Sequence, residues 1–168
     1  SETTYMLMHE AVRSVTQAVV AGKIDITDDA DLVRHVARAC LDHGLENCGL
    51  LAELQASAVD MIKYFRSSRA GIQVVAPMAI HLPLNGDELV FRAEDILVAA
   101  DGSYIFRRLR TGRIRSKEAS DVGAAALLMA ARQHDPRTRV ELIHLSDKAV
   151  TSLHLTPTVL KNREQALK

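Results

Sequence analysis

"RAEDILVAADGSYIFRRLRTGR", running from Arg92 to Arg113, is the stretch on which the fold turns. It is rich in Ile, Leu, Val and Phe and is interrupted by Asp101-Gly102, a strong turn signal between two strands. The reading is a strand over roughly 88–99, a turn, and a strand over 103–110. Within the first strand lie two adjacent acids, Glu94 and Asp95. Neighbours in a strand point to opposite faces, so one acid faces solvent and the other the interior or a cleft. An inward carboxylate must be paired, hydrogen-bonded or metal-bound. The second strand runs into a basic stretch made of Arg107, Arg108, Arg110, Arg113, Arg115 and Lys117, with no acid among them. Alternation puts Arg108 and Arg110 on one face and Arg107 with Leu109 on the other. A solvated strand end explains this run adequately, and contact with phosphate is its functional reading, because arginine forks match phosphate geometry.

On the N-terminal side, Pro77 and Pro83 interrupt a strand expected over 72–83, making it an edge or an irregular strand, and Asn85-Gly86 marks the next turn. These three strands are expected to form a meander. The first third reads as helical. Met8, Val12, Val15 and Val19 sit at helical spacing before Gly22, and Leu32, Val33, Val36 and Cys40 before Gly44. Leu51, Leu54, Ala58, Met61, Ile62 and Phe65 form the apolar side of a third helix. On the C-terminal side come an alanine-rich helix over 120–135, a hairpin over 139–156, and a last helix over 157–168 with Thr156 and Pro157 at its start. No repeat or low-complexity linker divides the chain, and one domain is expected.

The 168 residues are enough to bury about 68–70% of the unfolded surface. With no Trp, three Phe and three Tyr, that core must be aliphatic. The 21 basic and 21 acidic side chains balance, so any attraction to nucleic acid must come from a local patch. Cys40 and Cys48 read as two separate thiols, and there is no Cys/His zinc spacing. No apolar run is long enough to span a membrane and no signal-peptide pattern opens the chain, so an intracellular, cytoplasmic protein is expected. The start at Ser1 fits a processed chain or an excised fragment.

Glycine-rich phosphate loops are absent, and the scattered histidines do not define a Ser–His–Asp arrangement. His9, one turn before Arg13, taken alone reads as a structural histidine beside an apolar stripe.

The order of elements and these residues together resemble the PD-(D/E)XK nuclease superfamily. The likeness is to the RecB-like nuclease domains found at the C-terminus of UvrD-like, RecB- and AddB-type helicases and in the Cas4 group. It covers roughly 5–20 and 72–165, with 28–66 as a helical insertion. "LMHEAV" resembles the segment carrying the family's metal-binding histidine, which puts His9 there. "RAEDILVAADG" is similar to its second core strand, with Asp95 at the metal-binding aspartate and Asp101-Gly102 at the turn. "IFRRLRTGR" takes the place of the strand with an acid and a lysine before a Thr-Gly turn, so Arg108 falls at the acid and Arg110 at the lysine. The family's Q-x-x-x-Y element is absent, Gly123 and Leu127 being the nearest positions.

The resemblance implies a mixed α/β fold with a restriction-endonuclease-like core: a three-stranded meander, then a helix, strands and a C-terminal helix, preceded by an N-terminal helical subdomain. The departures imply lost catalysis. A guanidinium about 4 Å from a divalent cation repels it by several kcal/mol even at an effective dielectric of about 20. Arg108 could instead pair with Asp95, and arginine at the lysine position stays protonated and is no base. No catalytic residue and no cofactor is therefore expected. The expected function is a non-catalytic module, the accessory part of a UvrD-like ATP-dependent DNA helicase in repair or recombination. It would bind DNA backbone through Arg107, Arg110, Arg113, Arg115 and Lys117, or scaffold the motor, with no membrane partner. One alternative is an active nuclease holding Mg²⁺ or Mn²⁺ through Glu94, Asp95 and His9, or through Glu94 and Asp95 with Glu118 or Asp121. The other is a purely protein-facing scaffold.

Overall fold

A computed structural model of the chain describes residues 2–47, 49–112 and 122–153. Mixed α/β architecture is observed, and the described residues fall into two compact units.

The first unit comprises the residues up to Gly71 together with Arg110–Gly112 and Leu145–Lys148. Its helices are α1 (Glu2–Val20), α2 (Asp29–Asp42) and α3 (Leu51–Arg69), with a 3-10 turn at Leu45–Asn47. Each pair of helices packs together, burying Met8, Val12 and Val15 of α1, and Ala58, Met61, Ile62 and Phe65 of α3. On α2 the inward stripe is Leu32, Val36, Ala39 and Cys40, and Val33 is 45% exposed. Val33 was expected on the inward stripe, but it sits one residue, about 100°, round the helix from Leu32. Ala39 completes the stripe in its place. Asp28 caps α2 by accepting a hydrogen bond from the Asp31 amide at 3.1 Å, with Asp29 and Asp31 in the first turn, where negative charge meets the helix dipole favourably. The Ser146 hydroxyl donates to the Thr111 carbonyl and lies 3.5 Å from Met61 Sδ, and Lys148 Nζ pairs with Asp60 at 2.9 Å.

The second unit holds the strands and one helix. Its strands are β1 (Gln73–Val75), β2 (Ala79–Leu84), β3 (Asp87–Arg92), β4 (Asp95–Val98), β5 (Tyr104–Arg110), β6 (Arg139–His144) and β7 (Ala149–Ser152), and its helix is α4 (Val122–His134). The main sheet has the order β1-β4-β5-β6-β7, while β2 and β3 pair only with each other. β1, β4 and β5 are antiparallel neighbours, as a meander requires, and β6 and β7 form the expected hairpin. The two long strands expected before the Asp101-Gly102 turn are each broken, however. The 72–83 strand divides around Pro77, which has no N–H to give a ladder, and the 88–99 strand divides at Ala93-Glu94. The outer pieces leave the main sheet as the β2–β3 hairpin, closed by Asn85 and Gly86, both with positive φ, at 51° and 84°. Pro83 is tolerated there because a two-stranded sheet is all edge.

α4 packs its small and aliphatic face, Leu127, Leu128, Ala130 and Ala131, against Ile96 of β4, Phe106 of β5, and Val140 and Leu142 of β6. Ile80 and Ala93 extend the same core. The expected helix over 157–168 and residue Cys48 lie outside the described residues.

Candidate functional site

Register assembles the site. Ala99 N donates to the Ser103 carbonyl at 2.8 Å across the Asp101-Gly102 turn, and Val98 then faces Tyr104. Counting away from that pair along both strands sets Asp95 of β4 directly opposite Arg107 of β5. Asp95 is fully buried and Arg107 is 2% exposed, and Arg107 Nη1 lies 3.5 Å from Asp95 Oδ2. The other carboxylate oxygen, Oδ1, accepts from the Ile96 amide at 3.1 Å. At this separation the Coulomb attraction is on the order of 5 kcal/mol at an effective dielectric of about 20, opposed by the desolvation of both ions.

Of the two acids, Asp95 is the buried one and Glu94, in the bend just before β4, the exposed one. Glu94 closes on the backbone of β5. Its Oε2 accepts from the Leu109 amide at 2.6 Å, and its own amide donates to the Arg107 carbonyl at 3.0 Å. These bonds tie the bend before β4 to β5.

The arginine beside Asp95 departs from expectation. Arg108 stands at the acid position in the family resemblance and was the arginine expected to pair there. The structure puts Arg107 in that pair, because antiparallel register brings 107 across from 95 while 108 projects from the opposite face. Arg107, counted among the phosphate-facing cations, is an interior ion-pair partner. Arg108 and Arg110 are half-buried. The basic residues Arg113, Arg115 and Lys117, and the acids Glu118 and Asp121, lie outside the described residues.

His9 belongs to the helical unit, Glu94 and Asp95 to the sheet unit. The His9 ring centroid is 4.6 Å from that of Tyr5, and its Nε2 is buried without a hydrogen-bond partner among the described residues. Burial, with the Arg13 charge as a lesser cause, lowers its pKa and holds the imidazole neutral. Among the described residues no group of three or more His, Cys, Asp or Glu is placed to hold a metal ion. Leu127, nearest to the missing Q-x-x-x-Y element, is buried in the apolar core.

Asp101 serves the turn. Its Oδ1 accepts from both the hydroxyl and the amide of Ser103, which lowers its pKa, and its carbonyl accepts from Arg137 Nη1 at 3.2 Å. Gly102 follows with φ 82°. Thr111 is buried and its carbonyl is taken by Ser146.

Sequence reasoning did not single out Arg107 as the partner of Asp95. The signal was present in the turn, since a fixed turn fixes the cross-strand partner.

No family model matches this chain, and no curated protein matches it. Among solved structures it is similar to one described as "Crystal structure of SSO0001", with 13% identity, 100% of this chain and 87% of that one covered, and a TM-score of 0.36. A likeness at that level carries no argument about fold or function.

Proposed function

We propose that the chain is a non-catalytic module of restriction-endonuclease-like design that binds DNA through the backbone phosphates, as an accessory to a helicase motor. The observation that supports this most is the buried Asp95–Arg107 pair. The carboxylate that aligns with the family's metal ligand already has a fixed cation beside it, so a divalent ion brought there meets like charge. Phosphate binding then falls to the basic run beyond the strand, where Arg110 is half-buried and Arg113, Arg115 and Lys117 follow in sequence. Contacts of this kind position a duplex without reading its bases.

Two measurements test the reading. Incubation of plasmid and of single- and double-stranded oligonucleotides with Mg²⁺ or Mn²⁺ is expected to give no cleavage. Cutting that disappears in Asp95→Ala would refute the loss of catalysis. Anisotropy titration with labelled duplexes is expected to show binding that weakens with salt and is indifferent to sequence. The double reversal Arg113→Glu with Arg115→Glu is expected to weaken it equally for all sequences and to lower the salt slope by about 2. An unchanged titration would reject the DNA-binding role and leave a protein-facing scaffold.

A further inference from the structure

The main sheet ends at β1, and no strand stands beyond it among the described residues. Register decides which backbone groups of β1 are left over. Ala99 N donates to the Ser103 carbonyl at 2.8 Å, so residues 99, 97 and 95 turn their N–H and C=O groups toward β5. Val98 and Ile96 then turn theirs toward β1, where they meet Gln73 and Val75. Val74, between those two, points its N–H and C=O out of the sheet edge.

The side chains at this edge suit an added strand. Val75 packs on the core that α4 shares with the sheet, whereas Val74 is 46% exposed and Ile72, just before the strand, 41%. Exposed edges are ordinarily guarded by lysine or another charge, because an open row of N–H and C=O groups is a template for another chain. This edge has no such guard: no Asp, Glu, Lys or Arg occurs between Arg69 and Asp87. Pro77, two residues past the strand, has no N–H to give and so limits how far an added strand can pair.

We propose that β1 is a homodimer surface, on which a second copy of this chain adds its own β1 in antiparallel register about a twofold axis at Val74. The edge matches itself in that arrangement. The Val74 N–H of each copy donates to the Val74 carbonyl of the other, the two valine side chains lie side by side on one face, and no like charges meet. The chain's 21 basic and 21 acidic side chains leave no net charge to hold two copies apart. A twofold contact of this kind closes at two copies. With three residues in each strand, the interface belongs to the small, transient class. The proposal is independent of the nucleic-acid reading.

Sedimentation velocity of the intact chain over a concentration series is the test. A weight-average mass that rises with concentration and levels at two chains is expected. Val74→Pro deletes the outward N–H without removing a bond to β4, and Val74→Lys sets two like charges across the axis. Each is expected to weaken the dimer by about tenfold or more, with circular dichroism confirming the fold. Val74→Cys puts two thiols on residues whose Cα atoms stand about 5.5 Å apart in such a pair, within disulfide reach. It is expected to give a cross-linked dimer on mild oxidation, above the background of the unsubstituted chain, and it decides the matter should Val74→Pro not fold. Val150→Cys, equally exposed but on β7 at the other end of the sheet, is expected to give none. A chain monomeric throughout the series, or a dimer unweakened in folded Val74→Pro and Val74→Lys, would overturn the proposal. So would growth past two copies, or cross-linking through Val150→Cys in place of Val74→Cys.

Discussion

Replacing Arg107 by methionine removes the cation that the sheet sets opposite Asp95, from a pair whose members are 2% and 0% exposed. Methionine keeps only the first part of the arginine stem, so a packing loss adds to the electrostatic one, and a double variant that carries the same Arg107→Met change separates the two. Breaking a buried pair from one side costs about 3–5 kcal/mol. With a urea slope of about 1.5 kcal/mol/M, the midpoint for the sheet unit falls by roughly 2–3 M. A domain stability of about 5–15 kcal/mol makes this a severe but measurable change. The second arm replaces both ions, Asp95→Leu with Arg107→Met. Removing the whole pair also removes the desolvation of two ions, and such replacements are often neutral or stabilising by about 1–4 kcal/mol. The double variant is therefore expected to regain most of what the single one loses. The assay is urea unfolding by far-ultraviolet circular dichroism, paired with amide exchange of Ile96 and Ile105, which lie on the two paired strands. A single variant costing less than about 1 kcal/mol, or a double variant no more stable than the single, would refute the reading of Asp95–Arg107 as a coupled interior pair.

The neutral His9 gives a pH signature. Its pKa is lowered in the fold, so between pH 6.5 and its folded value the unfolded chain binds the proton and the folded one does not. Stability of the helical unit is expected to fall as pH drops below 6.5 and to level off below the folded pKa. His9→Leu should flatten that dependence, and a His9 ring signal titrating at or above 6.5 by NMR would contradict it. Gly86→Ala tests the β2–β3 turn. Gly86 has φ 84° and open space where a Cβ would sit, so the cost is that of the backbone alone, about 1–2 kcal/mol, or a Tm about 5 °C lower or more. Asn85→Gly, at the neighbouring φ of 51°, is expected to change Tm little.

Local features of this chain were legible because they depend only on spacing and on residue chemistry. The helical stripes of α1 and α3, the turns at Asn85-Gly86 and Asp101-Gly102, and the β6–β7 hairpin all appear where apolar period and turn residues placed them. Asp95 is buried and Glu94 exposed, as one inward and one outward acid were expected, although Glu94 sits at the break between β3 and β4 and not on the pleat.

What lies across a strand is a different kind of information. The sequence of "FRRLR" shows that its arginines alternate, but whether a face is covered depends on what packs over it. Only the tertiary structure made Arg107 an interior residue and left Arg108 half-buried. It also decided that Val33 faces out, since a residue at the border of a helical stripe is buried only if a neighbouring helix reaches it. The β2–β3 hairpin belongs to the same class: strand propensity marks its residues as extended, but ladder partners decide which sheet they join. In the stretch from Arg92 to Arg113, then, the sequence by itself determined two strands, a turn, one inward acid and a surplus of positive charge. The identity of the cation beside Asp95 was settled by cross-strand register, because a buried charge takes the partner that the sheet sets opposite it.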